Sequence, residues 1–121
     1  MATLWSRLGL ALLLTAAACT PQPTPQQQID ARETAALQPL KAQYPDIVVA
    51  FNFKGTTQLD IAIDANGYIS TGDDDVDKFK KVALNDWRSA WSAAHPHEHA
   101  NLTLRFVDFM GRTWVTEHVK A

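Results

Sequence analysis

Two runs in which large apolar residues occupy every second position, between positions 47 and 63, constrain the possible folds most strongly. In the first run every second residue is apolar: Ile47, Val49, Phe51 and Phe53. The second run repeats the pattern at Leu59, Ile61 and Ile63, and Gly55 lies between the two runs. A period of two is that of a β-strand with one buried face, and a short glycine-containing connection joins neighbouring strands. The pattern therefore predicts an antiparallel hairpin whose apolar side needs a covering element.

The segment 75–93 can supply that covering element. Its apolar residues recur at spacings of three and four: Val76, Phe79, Val82, Ala83, Trp87, Ala90 and Trp91. This spacing predicts an amphipathic helix that buries one stripe. Acidic residues precede the helix or lie in its first turn: Asp73, Asp74, Asp75 and Asp77. We interpret them as stabilising the positive end of the helix, rather than as a metal or acid–base site.

A first helix is predicted over residues 30–43. Asp30 is suited to cap it, and Glu33 follows three residues later, as in a capping box. Pro39 lies inside this segment and should kink or split the helix, because proline lacks the backbone N–H that helix interiors use.

The C-terminal third predicts a second hairpin. Leu102, Leu104 and Phe106 occupy every second position of the segment 102–107. The segment 113–119 is the predicted return strand, and Gly111 marks the turn between them. Earlier in the chain, Asn66-Gly67 indicates a tight turn, with room for a short strand over 68–70. The element order is therefore α-β-β-α-β-β. We expect a single small α+β domain with a largely antiparallel sheet of four or five strands, packed against the amphipathic helix.

The N-terminus has the composition of a secretory leader. Arg7 is basic, residues 8–14 are predominantly apolar, and small residues follow over 15–18. The apolar stretch is too short for a transmembrane helix, which needs about 20 residues. Cys19, directly after the leader, is the only cysteine, so an internal disulfide is impossible. We therefore predict an exported protein whose leader spans residues 1–18.

The four residues Ala16-Ala17-Ala18-Cys19 resemble the lipobox of bacterial lipoprotein precursors. The resemblance covers residues 1–19, and it departs from the family at Ala16, where leucine is favoured. It implies that Cys19 carries a diacylglyceryl thioether. It also implies outer-membrane attachment in a Gram-negative cell, since Thr20 is not the aspartate that retains such proteins in the inner membrane. Cleavage before Cys19 without lipidation stays open, because Ala16 and Ala18 also suit an ordinary leader peptidase.

Residues 19–29 are expected to be a tether. The stretch 20–28 contains three prolines and no large apolar residue, so it cannot bury enough surface to order itself. An extended polyproline conformation would let it span up to about 28 Å. A proline-rich ligand for a partner is the alternative. The expected organisation is thus a leader over 1–18, a lipidated tether over 19–29 and a globular domain over 30–121.

Two local patterns suggest metal ligands. His95, His97 and His99 would point the same way in an extended segment and could bind zinc or copper. The alternative is a polar loop at the negative end of the preceding helix. Residues 64–70 look like half of an EF-hand loop, with Asp64 and Asn66 at two ligand positions. The first ligand position falls on Ala62, the final glutamate position falls on Asp73, and a strand precedes the segment, so we interpret it as a turn.

The remaining features favour binding over catalysis. The chain has no Gly-x-Ser-x-Gly turn and no glycine-rich phosphate loop, so we expect neither an enzyme nor a cofactor. With 11 basic and 13 acidic residues it lacks the basic surface of a nucleic-acid binder. We expect a periplasmic protein-binding module held to the membrane by lipid, as a subunit or adaptor of an envelope complex. An immunity or inhibitor protein against an effector enzyme, and a metal-handling protein using residues 95–99, are the alternatives.

The candidate partner-binding residues lie on the sheet face turned away from the amphipathic helix. If the valines of the last strand point inward, this face carries Arg105, Trp114, Thr116 and His118. Tryptophan and arginine are enriched at binding hot spots. A competing hypothesis is that the first helix covers this face and packs against Trp114.

Cys19→Ser is expected to release the protein from the membrane fraction and to abolish its labelling by palmitate, because the only acylation site is lost. Fractionation of cells producing each form checks this. A wild-type protein that is soluble and unlabelled would contradict the lipoprotein hypothesis.

Overall fold

The computed structural model describes residues 21–121, and the predicted leader and Cys19 lie outside them. Three helices are present in this range: α1 (Pro25–Gln43), α2 (Ala65–Ser70) and α3 (Asp73–Ala94). Four strands accompany them: β1 (Val48–Lys54), β2 (Gln58–Ile63), β3 (Asn101–Val107) and β4 (Thr113–Lys120). The predicted α+β class is confirmed, and α2 is an addition to the predicted order.

The four strands form one sheet in the order β1-β2-β3-β4. The outer pairs are the two predicted antiparallel hairpins, whereas β2 and β3 run parallel. A parallel pair needs a crossover connection, and here α2 and α3 provide it. The sheet is therefore mixed, with two of its three pairings antiparallel.

All three helices lie on one side of the sheet or at its end, and the core lies between α1, α3 and the sheet. Strand residues predicted to point inward are buried, among them Leu59, Ile61, Leu102, Leu104 and Phe106. Leu37 and Leu40 of α1 belong to the same buried cluster as the α3 stripe. The hypothesis that the first helix covers the opposite face is therefore wrong.

Two tryptophans of α3 hold the helix to the sheet. Trp87 is fully buried, with its ring centroid 5.9 Å from that of Phe53. Trp91 lies one turn later, and its indole N–H donates to the carbonyl of Thr56 over 2.9 Å. This hydrogen bond fixes the β1–β2 turn against the helix.

The inward set predicted for β1 is wrong at Val49. Val48 pairs with Ile63 and Ala50 pairs with Ala62, so Val49 is an extra residue at a β-bulge. A bulge shifts the alternation by one residue. Val48 is consequently buried and Val49 exposed, while Phe51 and Phe53 keep their inward positions opposite Ile61 and Leu59.

The predicted start of the first helix is also wrong. The helix begins at Pro25, so residues 25–29 are helical and not extended tether. Thr24 accepts a hydrogen bond from the N–H of Gln27, whose side chain accepts from the N–H of Thr24. This is a capping box with proline at the first helical position, where its missing N–H costs nothing. The helix is not split at Pro39.

The helices α1 and α3 run antiparallel. The ring centroids of Tyr44, after α1, and Phe79, in the first half of α3, are 4.9 Å apart. At the other end, a carboxylate oxygen of Glu33 lies 3.7 Å from Nδ1 of His95, the residue that ends α3. The first two turns of α1, residues 25–32, precede this contact and are mostly exposed.

The strand expected over 68–70 is wrong, because these residues belong to α2. The carboxylate of Asp64 accepts hydrogen bonds from the N–H groups of Asn66 and Gly67 and so begins a helix instead of a hairpin turn. Gly67 is needed here for space, since a Cβ at this position would overlap the carbonyl oxygen of Asp46.

Replacing Trp87 by alanine should destabilise the fold by roughly 3–5 kcal/mol, the usual range for deleting a large buried aromatic. Urea unfolding of the wild type and the variant measures this difference. An unchanged unfolding midpoint would contradict the buried position of Trp87.

Because Glu33 is buried, we expect the free energy of unfolding to depend on pH. Its side chain is 2% exposed, and burial, aided by nearby Asp30, raises its pKa from 4.5 to about 7. The unfolded chain releases this proton near pH 4.5, whereas the folded chain keeps it until about pH 7. The folded state therefore binds more protons in this window, and stability is full below pH 4.5 and falls as the pH rises through 7.

One pKa unit corresponds to about 1.4 kcal/mol, so the loss between pH 4.5 and 8 should be about 3 kcal/mol. Glu33→Gln should remove this component, because glutamine does not titrate. Urea midpoints at several pH values compare the two proteins. Parallel pH profiles for both would contradict the assignment.

Candidate functional site

The exposed apolar residues are unevenly distributed. Within residues 21–121, five large apolar side chains are exposed: Val49 (53%), Ile69 (65%), Phe109 (88%), Met110 (66%) and Trp114 (37%). All five lie at one end of the sheet, and we call this set the apolar end. Single exposed apolar residues are common on protein surfaces, whereas a cluster of them is typical of a surface that binds a protein, a ligand or a membrane.

Strand register explains why these residues meet. Val48 pairs with Ile63, so the start of β1 lies beside the end of β2. The parallel pairing of Ala62 with Val107 brings the end of β3 to the same edge, and Val107 pairs in turn with Thr113 at the start of β4. The helix α2 follows β2 directly and carries Ile69 to the same end.

A groove of about 610 Å³ opens between these segments. Its lining combines apolar side chains with a few polar ones: Val49, Ile63, Asp64, Ala65, Asn66, Ile69, Phe109, Arg112 and Trp114. The groove is open to solvent, and its lining is more apolar than polar. A chain segment of a partner protein therefore suits it better than a small polar substrate.

A single carboxylate organises the β3–β4 loop. Asp108 accepts hydrogen bonds from four donors: the N–H of Met110, the N–H and Nε of Arg112, and Nε1 of Trp114. The bond from Trp114 is 2.8 Å long and the other three are 2.9–3.0 Å. The side chain of Asp108 is completely buried by this shell.

These hydrogen bonds favour the ionised carboxylate. The bond from Trp114, together with those from Arg112 and Met110, outweighs the effect of burial and lowers the pKa of Asp108 from 3.8 to about 2. Gly111 completes the loop with φ +82°, a conformation that L side chains rarely adopt. The loop is thus fixed at its base, while Phe109 and Met110 project from it.

Trp114 is held at the border of the apolar end. Phe106 pairs with Val115 and Val107 pairs with Thr113, so Trp114 is the extra residue of a second bulge. Besides its hydrogen bond to Asp108, its ring packs edge-on against Tyr68 of α2 at 5.7 Å. The strand and α2 are therefore joined through this side chain.

The structure divides the candidate partner-binding residues. Arg105, Thr116 and His118 lie on the sheet face opposite the helices, as the inward valines imply, and no helix within residues 21–121 covers this face. Trp114 does not join them, because the bulge breaks the alternation of β4 before Val115. His118 meets Thr103 across the strands at 3.3 Å.

Arg105 is occupied by an ion pair. Its Nε and one terminal nitrogen donate to the two carboxylate oxygens of Asp60 at 3.0 and 2.8 Å. Asp60 is only 4% exposed. Burial alone would raise the pKa of Asp60, but hydrogen bonds from Arg105 and Gln58 hold it below its usual range. Arg105 therefore has a structural task, which is to neutralise a buried carboxylate.

The three histidines do not converge. His95 is buried, and its ring stacks on that of Trp91 with the centroids 4.3 Å apart. Its Nδ1 lies at hydrogen-bond distance, 3.0 Å, from the carbonyl oxygen of Trp91. His97 has a positive φ of 67°, and His99 lies 3.3 Å from the carbonyl oxygen of Ala121. In the part of the chain that the structure describes, no group of three or more His, Cys, Asp or Glu side chains is placed to hold a metal ion.

The helix α3 begins at Asp73, two residues before the predicted start, so the acidic residues lie within it. Asp73, Asp74 and Asp75 form the first turn of the helix, where carboxylates offset the positive helix end. None of the helices within residues 21–121 combines the length and the apolar character that crossing a membrane requires.

Comparison with protein families, curated proteins and solved structures finds no match for this chain.

Sequence reasoning missed the residues that dominate the apolar end. Phe109 and Met110 were not among the candidates, although two large apolar residues in a glycine-containing turn between strands are unusual. That pairing is the signal that could have identified them. Ile69 had no such signal, because its exposure depends on α2 replacing the expected strand.

Asp108→Asn should loosen the β3–β4 loop while leaving the sheet intact. The amide offers one acceptor oxygen where four donors converge, and its own NH₂ group faces donors. We expect a lower thermal midpoint and faster hydrogen exchange at the amides of Met110 and Arg112. Asp108 also stabilises the wild type above pH 3.8, an effect lost as the pH falls toward 2 and absent in the variant. Unchanged exchange would contradict this role.

Proposed function

We propose that this chain is a lipid-anchored protein-binding module of the bacterial cell envelope, and that the apolar end is its binding surface. One observation carries the proposal: all five large apolar side chains exposed within residues 21–121 lie together at one end of the sheet. Burying such side chains in water-excluding contact is the main favourable term in most protein association.

The β3–β4 loop supports this role. Binding costs less when the contact residues are already held in place, and the four hydrogen bonds to Asp108 hold the base of this loop. The composition is also suited to an interface, because phenylalanine, tryptophan, methionine and arginine are enriched there. Phe109 projects furthest, with 88% of its surface exposed.

The direction of α1 supports an orientation away from the membrane. The helix starts at Pro25 and ends beside the apolar end, where the carbonyl of Asp46 touches Gly67. Its 19 residues correspond to about 28 Å. If Cys19 carries the lipid, as we propose, the domain is attached at the far end of α1. The apolar end then points into the periplasm, where it meets other proteins.

A periplasmic inhibitor of an effector enzyme is the second candidate function. It is favoured by the projection of Phe109 from a loop fixed at its base, since a protruding apolar side chain can enter the cleft of an enzyme. The identity of the bound partner separates an inhibitor from an adaptor.

Site-specific cross-linking tests the proposed function. A photoreactive phenylalanine analogue replaces Phe109 in the full chain, produced in its cell of origin, and the same analogue replaces Thr116 on the opposite sheet face as the matched control. We expect a discrete cross-linked protein from position 109 and none from position 116.

Phe109→Ser should weaken the association of that partner by about 30-fold, since removing a hot-spot side chain costs about 2 kcal/mol or more. Its thermal midpoint should not change, because Phe109 makes few contacts within the domain. His118→Ala serves as the control for the opposite face. Cross-linking from position 116 alone, or loss of binding in His118→Ala alone, would assign the interface to the sheet face and contradict the proposal.

A further inference from the structure

The groove at the apolar end continues into two further grooves. The second is about 500 Å³ and shares Val49, Asp64 and Asn66 with the first. The third is about 230 Å³ and shares Pro45, Asp46 and Thr71 with the second. A continuous surface therefore runs from Phe109 to the junction between α1 and β1.

The charge of this surface is strongly one-sided. Three exposed aspartates line it: Asp64 in the first two grooves, Asp46 in the second and third, and Asp75 in the third. The basic groups that line the grooves are Lys78 and Arg112, and Arg112 is already paired with Asp108 at 3.0 Å. Apolar side chains thus occupy one part of the surface, and the part beside α1 and α3 has a net negative charge, because Asp46, Asp64 and Asp75 outnumber Lys78.

We infer that this surface binds a segment of a partner protein in which apolar side chains are flanked by lysine or arginine. The inference rests on the proposed function and specifies the chemistry of its partner. The apolar residues of the segment pack against Phe109, Val49 and Ile69. Its basic residues meet Asp64, Asp46 and Asp75, and this complementarity selects the partner and speeds its association.

Charge disfavours two other occupants. A symmetric dimer through this surface would bring two acidic borders into one interface and add no basic partner for them beyond Lys78, because a two-fold interface uses the same patch on both subunits. An anionic lipid surface would be repelled by the same carboxylates. A protein segment with apolar and basic residues can pack against the apolar part of the surface and also form ion pairs with its aspartates.

Two synthetic peptides test the inference. Both carry the same leucine and phenylalanine residues, with lysine at every polar position in one and glutamate in the other. Fluorescence anisotropy measures their binding to the full-length chain inserted in phosphatidylcholine nanodiscs, with empty nanodiscs as the baseline. We expect the lysine peptide to bind at least about tenfold more tightly at low salt, the size expected from three exposed ion pairs. The difference should shrink as salt is added.

Charge-removing variants locate the effect. In the variant D46N/D64N/D75N the preference for the lysine peptide should largely disappear, and asparagine at position 64 can still cap α2. The matched control D30N/E98Q/E117Q changes the net charge equally but away from the surface, and it should keep the preference. Phe109→Ser should weaken both peptides.

Several results would overturn the inference. Equal binding of both peptides, lost in Phe109→Ser, would leave the apolar end as a binding surface but remove its preference for basic segments. Equal effects of the two triple variants would show a general attraction to an acidic protein. Phe109-dependent binding to phosphatidylglycerol vesicles, or Phe109-dependent dimerisation in sedimentation experiments, would assign the surface to a membrane or to a second copy.

Discussion

The parallel pairing of β2 with β3 is the constraint on which the rest of the structure depends. Because parallel strands cannot be joined by a tight turn, the chain must leave the sheet and return along α3. That helix buries Phe79, Trp87 and Trp91 on one face of the sheet, which creates the core. The same pairing brings the ends of β2 and β3 to one edge. The apolar end is therefore a consequence of topology, since α2 and the β3–β4 loop follow those two strand ends and are placed side by side.

Two buried carboxylates show how the same chemical group serves different purposes. Asp60 lies in the middle of the sheet and is neutralised by Arg105 from the neighbouring strand, an arrangement that keeps a polar face stable without helices above it. Asp108 lies at the end of β3 and gathers backbone and side-chain donors from its own loop, so it fixes local geometry. A buried carboxylate must be satisfied in either place, because an unpaired one would be costly. Only the second arrangement also holds apolar side chains outward in fixed positions.

The element types were predictable from the sequence because they depend on local patterns. The α3 stripe and the inward residues of β2 and β3 follow directly from periods of 3.6 and 2. The bulges at Val49 and Trp114 were not predictable, since pairing between strands decides where an extra residue is accommodated. The helix α2 was missed because Asn66-Gly67 also suits a turn, and only the approach of Asp46 explains why glycine is there. For the site, alternation correctly placed Arg105, Thr116 and His118 on one face, but the bulge separated Trp114 from them.

The apolar end and the sheet face opposite the helices differ in how their side chains are paired. This difference makes the apolar end the stronger candidate for binding. Along the open face, polar side chains pair with each other: Asp60 with Arg105 and Thr103 with His118. A partner that displaced these contacts would gain little, because it would exchange existing hydrogen bonds for new ones. At the end of the sheet the side chains of Phe109 and Met110 project into water. A partner can cover them without breaking hydrogen bonds or ion pairs of these side chains. If the chain is attached to the membrane at the opposite end of α1, as we propose, this surface is free to meet other proteins, and its acidic border favours segments that carry lysine or arginine.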